Sequence, residues 1–356
     1  MTTVPVLVEL WRGDAQAGTV ESAHRGALAV VDADGHRMLA LGDVERPVFP
    51  RSAVKALQAL PLVESGAAQR FALGDAELAL ACASHGGEPA HVATAARMLA
   101  RAGFDAAVLE CGAHWPLDEE AQRELAARGA VPCPLHNNCS GKHAGFVCLG
   151  TLLAERAGAE PRAWLRGYVE PGHPVMREVG AALGALTGCD LARAPRATDG
   201  CSMPTFGIAL QALALGFARF GSGAGLPPVR AAAAARLRQA VAAAPEMVAG
   251  RGRFDRVVMQ RFGTRAFVKV GAEGVYCGTL PGTGLGIALK IDDGQGRAAE
   301  LVMAKLLEAL LPTDGDERAL LRGLGDVTLH NWNGRPVGRL RAAPALRDAL
   351  AAQAAP

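Results

Sequence analysis

The sequence predicts an α+β fold, with one antiparallel sheet made from strands at both chain ends and helices from the middle packed on it. Three observations carry this expectation. Strand-like runs stand near the N-terminus and again over residues 266–291. Between them, apolar residues recur at the three- and four-residue spacing of helices. Strands and helices do not alternate as in a parallel doubly wound sheet, and no G-x-G-x-x-G stands at the first strand–helix turn.

Taken in order, Val4–Trp11, Ala27–Val31 and Met38–Leu41 read as strands, the last two joined by the hairpin signal Asp32-Ala33-Asp34-Gly35. Helical spacing follows over Ser52–Glu64, Glu88–Ala102, Leu117–Arg128, Lys142–Ala157, His173–Leu186, Phe206–Phe220 and Val229–Ala243. Ala266–Val270 and Val275–Thr279 flank the turn Gly271-Ala272-Glu273-Gly274, and Gly286–Ile291 comes next. Gly282-Thr283-Gly284-Leu285-Gly286 lies inside this hairpin region, so it reads as turn chemistry rather than a nucleotide loop. A helix over Arg297–Leu311 and a short terminal segment close the chain.

The 356 residues carry 37 basic and 35 acidic side chains, a net charge of +2, and half of them are hydrophobic. That profile fits a globular chain, read as a single domain over residues 1–356. It lacks the basic surplus of a nucleic-acid binder. The longest apolar tract, Phe206–Phe217, is interrupted by Gln211. It falls short of the roughly 20 residues that span a bilayer, so no membrane partner is expected. No basic segment followed by a long apolar stretch opens the chain. Its eight cysteines therefore read as reduced thiols or metal ligands, and a cytoplasmic location is expected.

Only five of the 37 basic residues are lysines, which makes each one informative. A lysine that persists in an arginine-biased chain is a candidate for work a guanidinium cannot do, such as losing its proton. Five stretches could carry chemistry. In Arg51-Ser52-Ala53-Val54-Lys55, Pro50 starts a helix and Ser52 and Lys55 share one face, the spacing of S-x-x-K serine hydrolases. A neutral amine beside a hydroxyl can remove its proton and make it a nucleophile. Cys82-Ala83-Ser84-His85-Gly86-Gly87-Glu88 places Ser84 ahead of a helix, as a helix cap or at a cleft with the glycine N–H groups as oxyanion donors. The run His85-x-x-Glu88-x-x-His91 has a zinc-like spacing, but the glycine pair and Pro89 break the helix that would align it. His136-Asn137-Asn138-Cys139-Ser140-Gly141-Lys142-His143 and Asp199-Gly200-Cys201-Ser202-Met203-Pro204 bring two separated cysteines beside lysine and histidine. Those two stretches read as a zinc site or as two ordinary buried thiols. Finally, Lys269 interrupts an apolar strand, Phe267-Val268-Lys269-Val270, where it is either exposed or faces the cleft as a second serine-activating base.

Together and in this order, Arg-Ser-Ala-Val-Lys, Ala-Ser-His-Gly-Gly, Asn-Cys-Ser-Gly-Lys-His-Ala-Gly, Asp-Gly-Cys-Ser-Met-Pro and Lys-Val-Gly-Ala-Glu-Gly resemble the L-asparaginase II family of the Rhizobium etli type. The match spans nearly the whole chain; Ala56 stands where that family has proline. The resemblance implies a fold similar to serine β-lactamases and glutaminases. It also implies two Ser–Lys tandems, Ser52 with Lys55 and Ser84 with Lys269, and a zinc ion on Cys139, Lys142 and Cys201 with water completing its shell. Arg51, Asp199 and His143 would face the substrate.

Asparagine's own chemistry makes the same demands. A zwitterion needs a cation for its α-carboxylate and an anion for its α-amine, tasks suited to Arg51 and Asp199. The expected reaction is hydrolysis of L-asparagine to L-aspartate and ammonia through an acyl-enzyme. Ser52 is favoured as nucleophile because its lysine shares its helix face, although the sequence does not decide between the two serines. L-glutaminase, another S-x-x-K hydrolase, and a non-catalytic zinc-binding or amino-acid-sensing module are the alternatives. The absence of Ser-Asp-Asn and Lys-Thr-Gly disfavours β-lactam chemistry. A homodimer is expected from the chain's size and the resemblance.

Overall fold

A computed structural model describes residues 4–13 and 18–353. Its main sheet contains β1 (Val6–Arg12), β2 (Thr19–Val31), β3 (Arg37–Leu41), β4 (Phe267–Val270), β5 (Val275–Leu280), β6 (Leu285–Ile291), β7 (Val327–His330) and β8 (Pro336–Ala342). The strand order is β7-β8-β1-β2-β6-β5-β4, with β3 also paired to β2, and every pairing is antiparallel. The sheet therefore joins both chain ends, and the fold is α+β as the sequence predicts.

The strand centres are covered on both faces. Side chains alternate along a strand, and neighbouring Gly278 and Thr279 of β5 meet different helices. A Cβ at Gly278 would come 3.6 Å from Met303 of one helix, while Thr279 presses on Gly221 of another. These helices are Leu210–Ser222 and Gly296–Leu310. All six residues of β5 are buried between them, which is why Val275–Leu280 carries no polar alternation. The first helix packs so closely that a Cβ at Gly286 would overlap the Ala214 carbonyl oxygen. Phe217 stacks on Phe267 at a centroid distance of 6.2 Å and Phe220 meets it edge-on at 5.4 Å, fixing that helix over β4.

Most of the expected helices are present; the helices Asp75–Ala81 and Phe254–Phe262 were not expected, and three further places differ. The helix expected over Ser52–Glu64 is a 3-10 turn, Arg51–Val54, followed by short helices Lys55–Gln58 and Leu60–Glu64. Pro61 has no N–H for the carbonyl four residues back, so the second helix restarts around it. The helix expected from Phe206 begins at Leu210, because Pro204–Phe206 pairs with Arg196–Thr198 and Ile208–Ala209 pairs with Pro47–Val48. The terminal segment is larger than expected. It contains the helix Gly315–Gly325, the β7–β8 hairpin and the helix Pro344–Gln353. Asn333-Gly334 is a strong hairpin signal at the tip of β7–β8. No helix among the described residues is long and apolar enough to cross a membrane.

Candidate active site

The site gathers where the helix Asp75–Ala81 ends and the chain runs through Ala83–Gly87 to Glu88, which precedes the helix Pro89–Arg101. Backbone bonds fix this crossing. The Ser84 N–H donates to Val248 O at 2.9 Å and the His85 N–H to Asn138 O at 3.3 Å. Two lysines reach the Ser84 hydroxyl from opposite parts of the chain. Lys55 Nζ donates to Ser84 Oγ at 3.0 Å and to Ala83 O at 2.6 Å. Lys269 Nζ donates to Ser84 Oγ at 3.1 Å and to Val270 O at 3.0 Å. Both amines are sealed from solvent: Lys55 is 1% exposed and Lys269 0%.

Burial without full compensation lowers a lysine's pKa. For Lys269 it pushes the value down to about 8; the Asp255 carboxylate opposes the shift, and the charges of Lys55 and Arg253 add to it. Asp255 Oδ2 lies 3.6 Å from Lys269 Nζ and accepts the Val270 N–H at 3.2 Å, while its Oδ1 accepts the Tyr276 hydroxyl. Asp255 and Tyr276 are both buried. The sequence reading missed this pair, yet a signal was present. Asp255 shares the apolar face of the helix Phe254–Phe262 with Val258, Met259 and Phe262, where an acid is out of place unless it has a partner.

Ser52 is arranged differently. It follows Arg51, whose φ of +52° is the left-handed conformation that non-glycine residues rarely adopt. Its hydroxyl is half-buried and makes no hydrogen bond among the described residues. The 3-10 turn ends at Val54, and the amine of Lys55 turns inward to Ser84 rather than to Ser52. The glycine pair after Ser84 is also committed in part, since the Gly87 N–H donates to His85 Nδ1 at 3.1 Å. Gly87 is therefore not a free oxyanion donor.

Above the serines, Arg51 and Asp199 hold one another. Arg51 Nη2 and Nε lie 2.7 and 2.9 Å from Asp199 Oδ1, which also accepts the Gly200 N–H at 2.7 Å. Burial would raise the Asp199 pKa, but the Arg51 bond and the Lys142 charge outweigh it and keep the carboxylate ionised. The cation and anion expected to face the substrate thus stand as a matched ion pair.

Cys139, Lys142 and Cys201 converge beneath this pair, and all are buried. Lys142 Nζ lies 3.1 Å from Cys201 Sγ. A hydrogen bond from Cys201 holds the Cys139 thiol well below the usual thiol range, with Lys55 and Lys142 contributing, while the same bond raises Cys201. Burial works against the Lys142 ammonium, but the two sulfurs and Asp199 outweigh it and hold the amine above its ordinary value. Two sulfurs and one nitrogen in a sealed pocket form a donor set suited to zinc. The negative charge that holds the ammonium would equally hold a metal ion.

His143 does not open to solvent. Its ring is wholly buried, with Nδ1 2.7 Å from the Tyr168 hydroxyl, which accepts the Glu110 N–H at 3.0 Å. That network assigns the Tyr168 proton to Nδ1 and leaves the ring proton on Nε2, a buried atom without a partner. Burial, with the Lys142 and Lys55 charges, keeps the ring neutral. The spaced histidines His85 and His91 are occupied. His85 Nε2 pairs with Ser140 Oγ at 2.9 Å; His91 accepts the Glu88 N–H and pairs with Glu246 O. They tie the Ser84 crossing to its neighbours and leave no nitrogen for a metal.

Gathered here, then, are buried amines against a hydroxyl, a cation–anion pair and a soft donor set. The chain belongs to the L-asparaginase II family, whose family model matches residues 8–342. It is accordingly an amidohydrolase acting on an asparagine-like substrate. Among solved structures, a β-lactamase from Mycobacterium bovis is similar over 77% of this chain and 89% of its own, at 15% identity and a TM-score of 0.36. No curated protein matches the chain.

Proposed function

We propose that the protein is an L-asparaginase that releases ammonia from L-asparagine through an acyl-enzyme on serine. The observation that carries this reading is the Ser84 hydroxyl within hydrogen-bond distance of two buried lysine amines. Lys269, with its pKa near 8, is the base: as a neutral amine it takes the Ser84 proton while Oγ attacks the side-chain amide carbon. The tetrahedral intermediate collapses as the new ammonium returns its proton to the leaving nitrogen, freeing ammonia. Water then attacks the ester, giving a proton to Lys269, which passes it to the departing Ser84 Oγ as L-aspartate leaves, so that hydroxyl and neutral amine are both restored. Lys55, whose Nζ donates to Ser84 Oγ, stabilises the developing alkoxide. Arg51 takes the α-carboxylate and Asp199 the α-ammonium, each leaving the other for the substrate. His143 offers its unpartnered Nε2–H to the same pocket.

Ser52 supports a second reading. Its half-exposed, unbonded hydroxyl would attack, and Ser84 would relay its proton to the lysines. Trapping and peptide mapping of the acyl-enzyme separate the two. An adduct on Ser84, with Ser84→Ala losing on the order of 10³-fold or more in kcat, supports the first; an adduct on Ser52 supports the second. Full ammonia release by both alanine variants would exclude the serine mechanism. A higher kcat/KM for glutamine than for asparagine would make the enzyme a glutaminase.

Zinc belongs to the proposal as well. Cys139 and Cys201 as thiolates and Lys142 as a neutral amine would hold the ion, which supplies a fixed positive charge beside the substrate pocket. Metal analysis of protein purified without chelators is expected to find about one zinc per chain, lost in Cys201→Ser. We further propose a symmetric homodimer, checked by sedimentation. A reducing, cytoplasmic setting suits eight cysteines that are all free thiols.

A further inference from the structure

On the opposite margin of the sheet, the helix Gly296–Leu310, the helix Gly315–Gly325, β8 and the helix Pro344–Gln353 line an open cavity of about 620 Å³. Basic side chains from all four elements line it. Lys305 and Arg322 share one acid, Glu308, at 3.0 and 2.8 Å. The other four, Arg318, Arg339, Arg341 and Arg347, have no ion pair among the described residues, and the remaining acid on the wall, Asp326, engages none of them. Arg341 lies over the Trp11 ring at 3.8 Å from its centroid, and its Nε is buried without a hydrogen-bond partner.

Like charges that converge on one concavity raise each other's energy and focus a positive potential into it. Among the described residues none of these four guanidiniums has a carboxylate within ion-pair distance, Glu9 opposite Arg341 included, and one of them has a buried unbonded donor, so the wall carries a surplus of positive charge. Guanidinium forks match phosphate oxygens two at a time, which lysine does not do. The cavity has the volume of small-molecule pockets, roughly 300–1,000 Å³. The whole chain carries a net charge of only +2, too little for a nucleic-acid track. We propose that this cavity is a binding site for a small polyanion bearing a chain of phosphates, separate from the amidohydrolase site and independent of its mechanism.

Calorimetry and thermal unfolding of the full chain with tripolyphosphate and with ATP test the assignment. Saturable binding is expected, with a Tm that rises with ligand concentration and an affinity that falls several-fold as salt is raised. The double variant Arg339→Gln/Arg347→Gln, both exposed positions, is expected to bind at least tenfold more weakly while keeping its own Tm and its ammonia release. Equal binding of the two ligands assigns recognition to the phosphate chain; tighter binding of ATP assigns it to a nucleotide. No saturable binding at millimolar ligand, or undiminished binding by a folded double variant, would overturn the proposal.

Discussion

At the scale of single residues, the chemistry turns on what surrounds one amine. The groups facing Lys269 are Ser84, Asp255, Lys55, Arg253 and, further off, Cys139; burial wins over the single carboxylate and leaves the amine titrating near 8. A base must be neutral to act, so kcat/KM is expected to rise with pH through about 8 and then level off. Asp255 favours the charged form, so removing its charge lowers the Lys269 pKa. Asp255→Asn is therefore expected to move the rising limb of the pH profile to lower pH while reducing kcat, since the Val270 N–H and Tyr276 contacts lose their carboxylate. A fall in activity with an unmoved limb would reduce Asp255 to a packing role. The scarcity of lysine made Lys55, Lys142 and Lys269 stand out in the sequence. Which hydroxyl Lys55 serves was not legible, because a shared face puts Ser52 within reach but does not reveal that a distant segment brings Ser84 closer to the amine.

At the scale of elements, the site depends on how closely a hairpin meets a turn. A Cβ on Gly271, just past β4, would stand 2.5 Å from the Pro50 carbonyl oxygen and 3.3 Å from the Ala53 Cβ. Only a glycine lets the strand carrying Lys269 come so close to the Arg51–Val54 turn. Gly271→Ala is expected to cost about 1–3 kcal/mol of stability by overpacking, read as a lowered Tm, and to reduce kcat. An unchanged Tm would show that the turn yields freely. Gly141 has the matching role on the other side, where a Cβ would lie 2.5 Å from the Leu80 carbonyl oxygen. Helices such as Pro89–Arg101 and Pro174–Thr187 were legible because one apolar stripe and an N-terminal proline specify them locally. The short pairings Pro47–Val48 with Ile208–Ala209 were not, because each needs a partner far away in sequence.

At the scale of the whole molecule, burying three histidines makes stability depend on pH. Burial pushes His85 and His143 well below the ordinary value and lowers His91 as well. The unfolded chain takes up protons near its free value of about 6.5 while the folded one does not, so stability is full above that pH and is lost as pH falls below it. Tm followed from about pH 7 down to 5.5, a range where carboxylates stay ionised, is expected to decline; a flat profile would mean the rings are protonated in the fold. The sequence by itself determined the sheet drawn from both chain ends, most of the helices and the residue types of the site, since periodicity and scarce lysines and cysteines are local facts. Tertiary structure alone decided that two lysines 214 positions apart share the Ser84 hydroxyl and that Asp255 stands behind one of them. Such contacts arise when distant segments are pressed together and water is excluded, and only then do a lysine's charge and its neighbours acquire their values.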